Sequence, residues 1–464
     1  MPLNATALSV CQDAIALARL QRDGQAFAVM AWQTPLPADP STIFAEADGR
    51  GRALLWSGKE WQLSIGAAFE LSSDGPGRGT HLAQELARLD GHTVARVHGD
   101  ATGAPTLPTC LTAFSFEERP PGASHWGAHL PGARLWLPRR LLWRRADGSG
   151  WTIAAVAVKV GDHANELVAK LLADPALLPT TAAATWPKLV DTYHDEVEDA
   201  VALIRDGALR KVVLARGCDH PLPTDMTVGS IIAQLRRLGE RATLYAYDLP
   251  GAGLFCGITP EMLFQAEGRR ITTMALAGTT RRGQNADEDA ALVAALVAGT
   301  KERKEHGLVV EHLVAVLRER AAPFTVPLAP HPRLLDRVIH LETIISAELT
   351  RSDYFELIDA LHPTPAVCGV PTATATHYIA RREKLHRGLY AGALGWIAPD
   401  AARIIVPLRG GIVRQDLGLA RLFAGAGIIE TSIPALEFTE TELKLSVMRQ
   451  VLMSDVRCPM SDVL

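Results

Sequence analysis

The sequence predicts a protein of the α/β (α+β) class, in which a smaller sheet-rich region precedes a mixed domain. Residues 1–185 are rich in Gly, Pro and Trp and carry short apolar runs, a pattern typical of strands. In residues 186–455, strand-like runs alternate with longer segments of helical periodicity. A connector is predicted over 174–187, where Pro, Thr and Ala dominate. We expect the two regions to pack as one large compact unit.

The elements follow from the length and character of each run. A short apolar run suits a strand with at least one buried face, whereas a longer periodic segment suits a helix. Strands are predicted at 53–56, 61–65, 134–137, 151–156, 212–215, 243–247 and 404–408. Helices are predicted over 188–206, 286–320, 373–384 and 434–453.

The composition is that of a globular protein and excludes several classes of partner. Hydrophobic residues make up 48% and charged residues 21% of the 464 residues, and the net charge of −4 offers no basic field to nucleic acid. No window approaches the ~18 uninterrupted apolar residues of a membrane span, and the first residues do not resemble a signal peptide. The six cysteines are scattered without a CxxC pair, which favours reduced thiols over disulfides or a zinc site. We therefore expect a cytoplasmic protein that binds neither nucleic acid nor membranes.

Lys211 is a candidate base. It opens the apolar strand 211–216, where alternation places Lys211, Val213 and Ala215 on one face. If both faces of the strand are buried, Lys211 leaves water, and burial favours the neutral amine that can accept a proton. The alternative is a lysine at the mouth of a strand, with its ammonium group in solvent.

Glu261 is a candidate acid. It follows a Thr-Pro turn in the segment 257–262 and has mostly apolar neighbours. An apolar setting raises the pKa of a carboxyl group and so preserves the proton that a general acid donates. The alternative is a glutamate that simply begins a strand or a turn.

Glu305 lies on the apolar stripe of a predicted helix. Helical spacing places it on one face with Val309, Leu313 and Val316. Because that face should point to the core, a carboxylate on it needs a partner or a cation.

The last predicted helix carries two acidic residues, Glu437 and Glu440, on the same stripe as Lys444 and two valines. Two acids on a core-facing stripe repel each other unless a metal ion or a lysine neutralises them. Oxygen ligands without clustered Cys or His point to Mg²⁺ rather than zinc. The alternative is a helix N-terminus that favours acids for its dipole, together with a Glu440–Lys444 pair. A base, an acid and a metal site would form a reaction centre for moving a hydroxyl group on an anionic substrate.

Three further features could contact an anion or line a pocket. The run 422–429 has the pattern of a strand that leads into a glycine turn, where Gly425 and Gly427 would let backbone amides approach an anion, although a lone GxG is usually a plain turn. Arg409 ends an apolar strand and could grip a carboxylate with two hydrogen bonds, or could lie on the surface. His340 has apolar neighbours, and such a residue is more often a hydrogen-bonded core histidine than a catalyst.

Taken in order, these segments resemble the chorismate-utilising enzymes (anthranilate synthase component I-like), and within them the isochorismate synthases. The resemblance covers about residues 186–453, whereas residues 1–185 match weakly. The matching stretches are 211–216, 257–261, 275–279, 304–310, 339–341, 361–366, 369–371, 383–392 and 421–427.

The resemblance implies a chorismate-binding fold of two stacked, mostly antiparallel sheets with helices outside. It also implies Mg²⁺-dependent isomerisation of chorismate to isochorismate. Lys211 would activate water for attack at C2, and Glu261 would protonate the departing C4 hydroxyl. Glu305 and Glu440, supported by Glu437, would hold the Mg²⁺ that binds the ring carboxylate.

The same resemblance implies the remaining substrate contacts. Arg409 and the amides around Gly425 and Gly427 would clamp the pyruvyl-side carboxylate. The pocket wall and the surroundings of the ring would be formed by Ala277, Gly278, Thr279, His340 and Tyr390.

Two positions favour water over ammonia as the nucleophile. Anthranilate synthases generally carry glutamine where this chain has Lys211, and aminodeoxychorismate synthases resemble Pro-Ile-Lys-Gly-Thr, with a lysine where this chain has Ala277. We therefore expect no glutaminase subunit, and a protein that acts as a monomer or a weak homodimer. The alternative is a salicylate synthase, which shares the water-activating lysine and then expels pyruvate. Isochorismate feeds menaquinone, catecholate siderophores and salicylate, and the sequence does not choose among these pathways.

Overall fold

The structure is a computed structural model that describes residues 2–120, 124–127, 130–179, 181, 183–184, 186–335 and 337–453. The described residues form twenty β-strands and eleven α-helices, which confirms the mixed α/β class. The strands are β1 (Gln25–Gln33), β2 (Arg52–Ser57), β3 (Glu60–Ser73), β4 (Thr93–His98), β5 (Cys110–Phe114), β6 (Ala133–Arg144), β7 (Gly150–Lys159), β8 (Lys211–Pro221), β9 (Thr243–Leu249), β10 (Gly253–Thr259), β11 (Met262–Glu267), β12 (Arg270–Arg281), β13 (Ala321–Thr325), β14 (His331–Leu334), β15 (Val338–Leu349), β16 (Gly369–Val370), β17 (Ala393–Ala398), β18 (Ala401–Ile405), β19 (Gly410–Arg414) and β20 (Leu419–Ile428). The helices are α1 (Leu3–Leu20), α2 (Ser41–Glu46), α3 (Arg78–Gly91), α4 (Ala164–Leu172), α5 (Tyr193–Arg205), α6 (Val228–Leu238), α7 (Ala286–Ala298), α8 (Thr300–Arg320), α9 (Tyr354–Leu361), α10 (Thr372–Arg382) and α11 (Pro434–Val451).

The strands are hydrogen-bonded into one continuous network that consists of two sheets sharing β6. One sheet runs in the order β16, β8, β20, β19, β10, β9, β2, β3, β6, β7, β1 and β4. The other runs from β6 through β5, β17, β18, β11 and β12 to β15, which also pairs with β13 and β14. β6 belongs to both because β5 pairs with its first half and β7 with its second half, while β3 pairs along its other edge. Of the pairings in the described chain, only that of β1 with β4 is parallel.

Strands from the first 185 residues are built into the same sheets as the later strands. β2 pairs with β9, and β5 pairs with β17. The largest apolar core takes side chains from both sheets, for example Leu214 of β8, Phe423 of β20 and Ile345 of β15. Helix α8 packs against β12 and helix α11 against β20, so each sheet has a helix on its outer side near the site described below.

The observed elements differ from the predicted ones at three places. The predicted helix 286–320 is two helices, α7 and α8, because the backbone becomes extended at Gly299 (φ −60°, ψ 123°), and glycine is a poor helix former. The predicted helix 188–206 begins only at Tyr193. The predicted strand 404–408 leaves the sheet after Ile405, two residues before Pro407, which has no N–H for a strand ladder. The predicted helices near 373–384 and 434–453 are confirmed as α10 and α11.

The structure bears on two expectations from the composition, the absence of a membrane span and the presence of reduced cysteines. In the described part of the chain, no helix is both long and apolar enough to cross a lipid bilayer. The described cysteines, at positions 11, 110, 218, 256 and 368, are free thiols. Cys458 lies outside the described residues.

Candidate active site

A cavity that is partly open to solvent is lined from both sheets and from helices α8 and α11, and its empty space, including the part continuous with solvent, is about 720 Å³. Eleven of the thirteen residues predicted as site residues border it. They are Glu261, Ala277, Gly278, Thr279, Glu305, His340, Tyr390, Arg409, Gly425, Gly427 and Glu440. The other two, Lys211 and Glu437, are buried and do not border the cavity. The fold therefore brings into one place residues that lie as far apart in the chain as 211 and 440.

Lys211 lies in the wall behind Glu305. It is the first residue of β8, and its side chain is fully buried (0% exposed). Both faces of the strand are buried from Lys211 to Ala215, so the buried alternative holds rather than a lysine at the mouth of the strand. Its Nζ donates a hydrogen bond to Glu305 Oε1 at 2.8 Å. A Cβ atom at Gly427, on the neighbouring strand β20, would lie 2.5 Å from that oxygen and 2.9 Å from Lys211 Cε. Glycine at 427 therefore leaves the room in which this ion pair forms.

Glu261 lies between β10 and β11 on the cavity wall. Its main-chain N–H donates to Thr259 Oγ1 at 3.2 Å, and its carbonyl accepts from the Val406 N–H at 3.2 Å, which fixes its backbone. Only 5% of the residue is exposed. Burial raises the pKa of Glu261 to about 7, although the charges of Lys211 and Arg409 act in the opposite direction. The direction of the shift is the one predicted from the apolar neighbours, and it favours the protonated form that a general acid needs.

Each of the three acidic residues predicted as metal ligands is paired with a lysine. The pairs and their N···O distances are Glu305–Lys211 at 2.8 Å, Glu437–Lys301 at 3.1 Å and Glu440–Lys444 at 2.7 Å. Among the described residues, no group of three acidic, histidine or cysteine side chains is arranged to enclose a metal ion by itself. The lysines supply the positive charge that buried carboxylates need.

The three carboxylates nevertheless lie close enough together that all of them raise the pKa of one lysine, Lys301. Burial acts to lower the pKa of Lys301, but the charges of Glu437, Glu440 and Glu305 outweigh it, and the pKa is raised. Burial also acts to raise the pKa of Glu305, yet the ammonium of Lys211 outweighs it, so the pKa lies below its ordinary value. Glu305 is therefore a carboxylate at neutral pH. It contributes negative charge to the same part of the cavity wall as Glu437 and Glu440.

Arg409 is held in the cavity by a chain of hydrogen bonds. Its Nη2 lies 2.9 Å from His340 Nε2, and His340 Nδ1 lies 3.0 Å from Thr279 Oγ1. Burial and the charge of Arg409 hold the pKa of His340 well below its ordinary value, so the ring is neutral. Because a guanidinium group can only donate, Nε2 accepts, and the proton of the neutral ring is assigned to Nδ1, which donates to Thr279. His340 thus orients Arg409 and is hydrogen-bonded on both sides.

The predicted glycine turn at 422–429 is wrong. Gly425 and Gly427 lie inside β20, because the apolar run continues to Ile428 and the whole strand pairs with β8. The carbonyl of Gly425 accepts a hydrogen bond from Lys444 Nζ at 2.7 Å. The glycines therefore border the cavity as strand residues without side chains, and not as a loop that folds around an anion.

The rest of the predicted wall is shaped by a β-bulge and an aromatic pair. Gly278 sits where the pairing of β12 with β15 shifts between Ala277 and Thr279, and its φ of 74° is a conformation that favours glycine. The ring of Tyr390 lies 5.4 Å from that of Phe423, centroid to centroid, and burial raises the pKa of Tyr390, so its hydroxyl stays neutral. These residues close one side of the cavity with small and aromatic groups.

Two charged residues of the cavity wall are missing from the predicted site. Lys444 borders the cavity, and its spacing of four residues from Glu440 on α11 was the signal that could have included it. Arg387 also borders it and is fully buried, where it bonds Glu383 and donates to the carbonyls of Val213 at 2.7 Å and Val367 at 2.8 Å. Because Glu383 and Arg387 follow the end of α10, helical spacing does not predict their contact.

The chain is similar to curated proteins over most of its length. The chain is 34% identical over 432 residues to the salicylate biosynthesis isochorismate synthase of Pseudomonas aeruginosa, which covers 90% of this chain and 88% of the relative. It is 28% identical over 424 residues to the isochorismate synthase MenF of Bacillus subtilis, covering 87% of this chain and 88% of the relative.

Two solved structures share the fold. The menaquinone-specific isochorismate synthase MenF from Escherichia coli superposes with a TM-score of 0.74 at 24% identity, covering 96% of this chain and 100% of that one. Anthranilate synthase component I from Streptococcus pneumoniae superposes with a TM-score of 0.63 at 19% identity, covering 84% and 92%. The family model described as "Chorismate binding enzyme" matches residues 14–453, which includes most of the N-terminal region. The chain therefore belongs to the family of chorismate-binding enzymes.

Proposed function

We propose that the protein is an isochorismate synthase, which converts chorismate to isochorismate. The observation that carries the proposal is a fully buried lysine, Lys211, and a buried carboxyl group of pKa about 7, Glu261, held beside one cavity. Such a pair suits a reaction that removes a proton at one position and delivers one at another. The names of the curated relatives support the same activity.

The proposed chemistry needs only these two proton carriers. Lys211, once it has given up the proton that it holds in its ion pair with Glu305, accepts a proton from water while the water oxygen bonds to C2 of chorismate. Both ring double bonds shift, the bond between C4 and its hydroxyl oxygen breaks, and Glu261 donates its proton to that oxygen, which leaves as water. One water molecule enters and one leaves, so the net reaction is an isomerisation. Lys211 must then lose its proton and Glu261 regain one before the next turnover.

Two groups at the cavity suit the charges of the substrate. Chorismate is a dianion, and Arg409 and Lys444 border the cavity with positive charge. Tyr390 and Leu276 supply apolar wall for the ring. Arg409 is proposed to bind the pyruvyl-side carboxylate, because the hydrogen bond to His340 orients its guanidinium group.

Water is favoured as the nucleophile by two side chains. Lys211 is an amine, whereas the ammonia-using relatives resembled by this chain generally have glutamine at that position. Ala277 presents a methyl group to the cavity, where the aminodeoxychorismate synthases carry a nucleophilic lysine. We therefore propose an enzyme that acts without a glutaminase subunit.

We further propose that Glu305 and Glu440 hold a Mg²⁺ ion, with Glu437 next to them. The donor chemistry fits, since proteins bind Mg²⁺ with one or two carboxylates and complete its shell with water and substrate oxygens. Glu305 and Glu440 border the cavity, and both act on the ammonium of Lys301 together with Glu437. When bound, Mg²⁺ would supply the positive charge that neutralises the ring carboxylate of the substrate. Glu305 also pairs with Lys211, so a cation and the lysine would compete for one carboxylate.

Replacing Glu440 with alanine is expected to weaken Mg²⁺ binding at least about tenfold, as the loss of a metal ligand does. Titration calorimetry of Mg²⁺ in the presence of chorismate measures the dissociation constant, and the Mg²⁺ dependence of activity provides a second reading. Glu442→Ala is the matched control, because Glu442 is on the same helix but bonds Arg449 and does not border the cavity. Wild-type activity that persists after chelation with EDTA would remove the metal from the proposal.

The reaction itself is tested by isotope labelling. Conversion of chorismate in ¹⁸O-water is expected to place the label in the new hydroxyl group of isochorismate, because that oxygen comes from solvent. Mass spectrometry of the product measures the incorporation. An unlabelled product would exclude water as the nucleophile.

A second assay separates the two related activities. A salicylate synthase would release pyruvate after forming isochorismate, and its product is fluorescent. Incubation with chorismate and Mg²⁺ is expected to yield isochorismate without salicylate fluorescence. Fluorescence that grows with time would instead assign the salicylate synthase activity. By name, a curated relative acts in salicylate biosynthesis and another is specific for vibriobactin, and one of the solved structures is menaquinone-specific.

A further inference from the structure

We infer that Tyr245 is a positioning residue for substrate binding. Its hydroxyl group holds the turn that carries Arg409, which is formed by residues 406–409 between β18 and β19. The inference rests on the proposed function, in which Arg409 binds a carboxylate of the substrate. Tyr245 itself does not border the cavity and has no predicted role.

The contact is direct and buried. Tyr245 lies on β9 and is 0% exposed. Its hydroxyl donates a hydrogen bond to the carbonyl of Leu408 at 2.9 Å. Leu408 and Arg409 both border the cavity, whereas Tyr245 does not. Tyr245 therefore contacts Leu408, the residue before Arg409, from outside the cavity.

The space around the hydroxyl is kept open by glycine. A Cβ atom at Gly257 would lie 2.6 Å from Tyr245 Oη, and one at Gly410 would overlap it. Gly257 also faces the carbonyl of Arg409, which a Cβ there would approach to 2.6 Å. Two glycines on two strands, β10 and β19, thus let the hydroxyl reach the backbone of the turn.

The turn needs such support because its backbone is strained. Arg409 has a φ of 46°, and in the described chain only Ala391 among the other non-glycine residues also has a positive φ. A side chain in this left-handed conformation costs energy and persists only where its surroundings enforce it. The bond from Tyr245 to Leu408 acts on one side of Arg409, and a bond from the Ile258 N–H to the Arg409 carbonyl, at 3.3 Å, acts on the other.

The strained backbone determines where the guanidinium group points. From this backbone, Arg409 reaches His340 at 2.9 Å. Without the tyrosine hydroxyl, the turn can relax toward an ordinary φ, and the guanidinium group is held less well in the place where a carboxylate binds. Lys211 and Glu261 are on other segments and keep their backbone positions, so the main effect is expected on substrate binding, while the charge of Arg409 on Glu261 changes only as far as the guanidinium group moves.

The test is Tyr245→Phe, which removes the hydroxyl and keeps the ring. The KM for chorismate is expected to rise about tenfold, equivalent to about 1.4 kcal/mol, while kcat stays within about twofold of wild type. The dissociation constant of chorismate, measured by calorimetry in a Lys211→Met background that cannot consume it, is expected to rise by the same factor.

The matched control is Tyr247→Phe. Tyr247 lies two residues further along β9, is 4% exposed and bonds Arg134 instead of the Arg409 turn. The Tyr247→Phe variant is expected to lower the melting temperature about as much as Tyr245→Phe does and to leave the KM for chorismate unchanged. Equal rises in KM in both variants would mean a general loss of packing and would overturn the inference.

A double variant shows whether Tyr245 acts through Arg409. In an Arg409→Ala background, adding Tyr245→Phe is expected to have no further effect on chorismate binding, since the group that it positions is gone. Additive effects, or an unchanged dissociation constant in Tyr245→Phe alone, would overturn the inference. Product formation by the wild-type protein decides the proposed function, whereas chorismate binding decides this inference, so the two can fail separately.

Discussion

Replacing Lys211 with alanine is expected to lower kcat for isochorismate formation by about 10²- to 10⁴-fold, the usual contribution of a positioned base. The amine is fully buried beside the cavity, and in the proposal it receives the proton of the attacking water. The measurement is the steady-state rate of isochorismate formation by chromatography. Full activity in the variant would remove Lys211 from the proton transfer.

Loss of activity in Lys211→Ala must be distinguished from loss of the fold. Removing one partner of a buried ion pair costs up to about 3–5 kcal/mol, and here the partner, Glu305, would stay without its ammonium. Lys211→Met keeps the volume of the side chain and is expected to be folded and equally inactive. Lys304→Ala is the matched control: Lys304 also forms an ion pair at 2.8 Å, with Glu430, but its side chain is 48% exposed, and its loss is expected to leave activity unchanged.

Replacing Glu261 with glutamine is expected to lower kcat by a similar factor, because an amide cannot donate the proton to the leaving hydroxyl. In the wild type, kcat/KM is expected to fall as pH rises through about 7, where Glu261 loses its proton. The pH profile of the residual activity in Glu261→Gln is expected to lack this limb. A pH profile that is identical in both proteins would exclude Glu261 as the acid.

The raised pKa of Glu261 also predicts how the free energy of unfolding depends on pH. Its pKa is raised from 4.5 to about 7 in the folded protein, so between these values the unfolded chain loses the proton that the folded chain keeps. The free energy of unfolding of the wild type therefore decreases as pH rises through this window, by up to about 3 kcal/mol. Because Glu261→Gln has no such titration, its stability relative to wild type is expected to increase from pH 4.5 to pH 7, as chemical denaturation at each pH measures.

Asp248→Asn is the control for that experiment. Asp248 is another buried carboxyl group, and burial raises its pKa to about 6 against the charge of Arg52, but it does not border the catalytic cavity. The variant is expected to change the pH dependence of stability and to leave the pH dependence of kcat/KM as in the wild type. An altered rate profile in this variant would mean that buried carboxyl groups affect activity wherever they lie.

Local patterns in the sequence predicted much of this site because burial of a side chain depends on the period of its own element. The alternation in β8 predicted that Lys211 shares a face with Val213 and Ala215 and leaves water if both faces of the strand are buried, as they are. The helical spacing in α8 and α11 predicted that Glu305 and Glu440 would share faces with core residues. The apolar neighbours of Glu261 predicted its raised pKa. Each of these properties belongs to a segment of about twenty residues or fewer.

Local patterns do not predict the contacts between segments that are distant in the sequence. Glu305 meets Lys211 across 94 positions of sequence, and no local pattern shows which cation a buried carboxylate will meet. The glycines of β20 were predicted as a turn because GxG is common in turns, whereas pairing with β8 keeps them in a strand. Tyr245 and Arg387 act through backbone carbonyls, which have no signature in the sequence at all.

The sequence alone predicted a mixed α/β fold, a resemblance to the chorismate-utilising enzymes, a lysine at the start of an apolar strand, an acid in an apolar setting and acidic residues on core-facing stripes. The spacing of α11 also predicted the Glu440–Lys444 pair. Only the tertiary structure decided that Glu305 pairs with Lys211 and Glu437 with Lys301, and that a strained turn, bonded to Tyr245 and His340, points Arg409 into the cavity. The physical reason is the range of the interactions. The period of one helix or strand determines which of its faces is buried, but hydrogen bonds and ion pairs form between side chains that only the pairing of distant strands brings together.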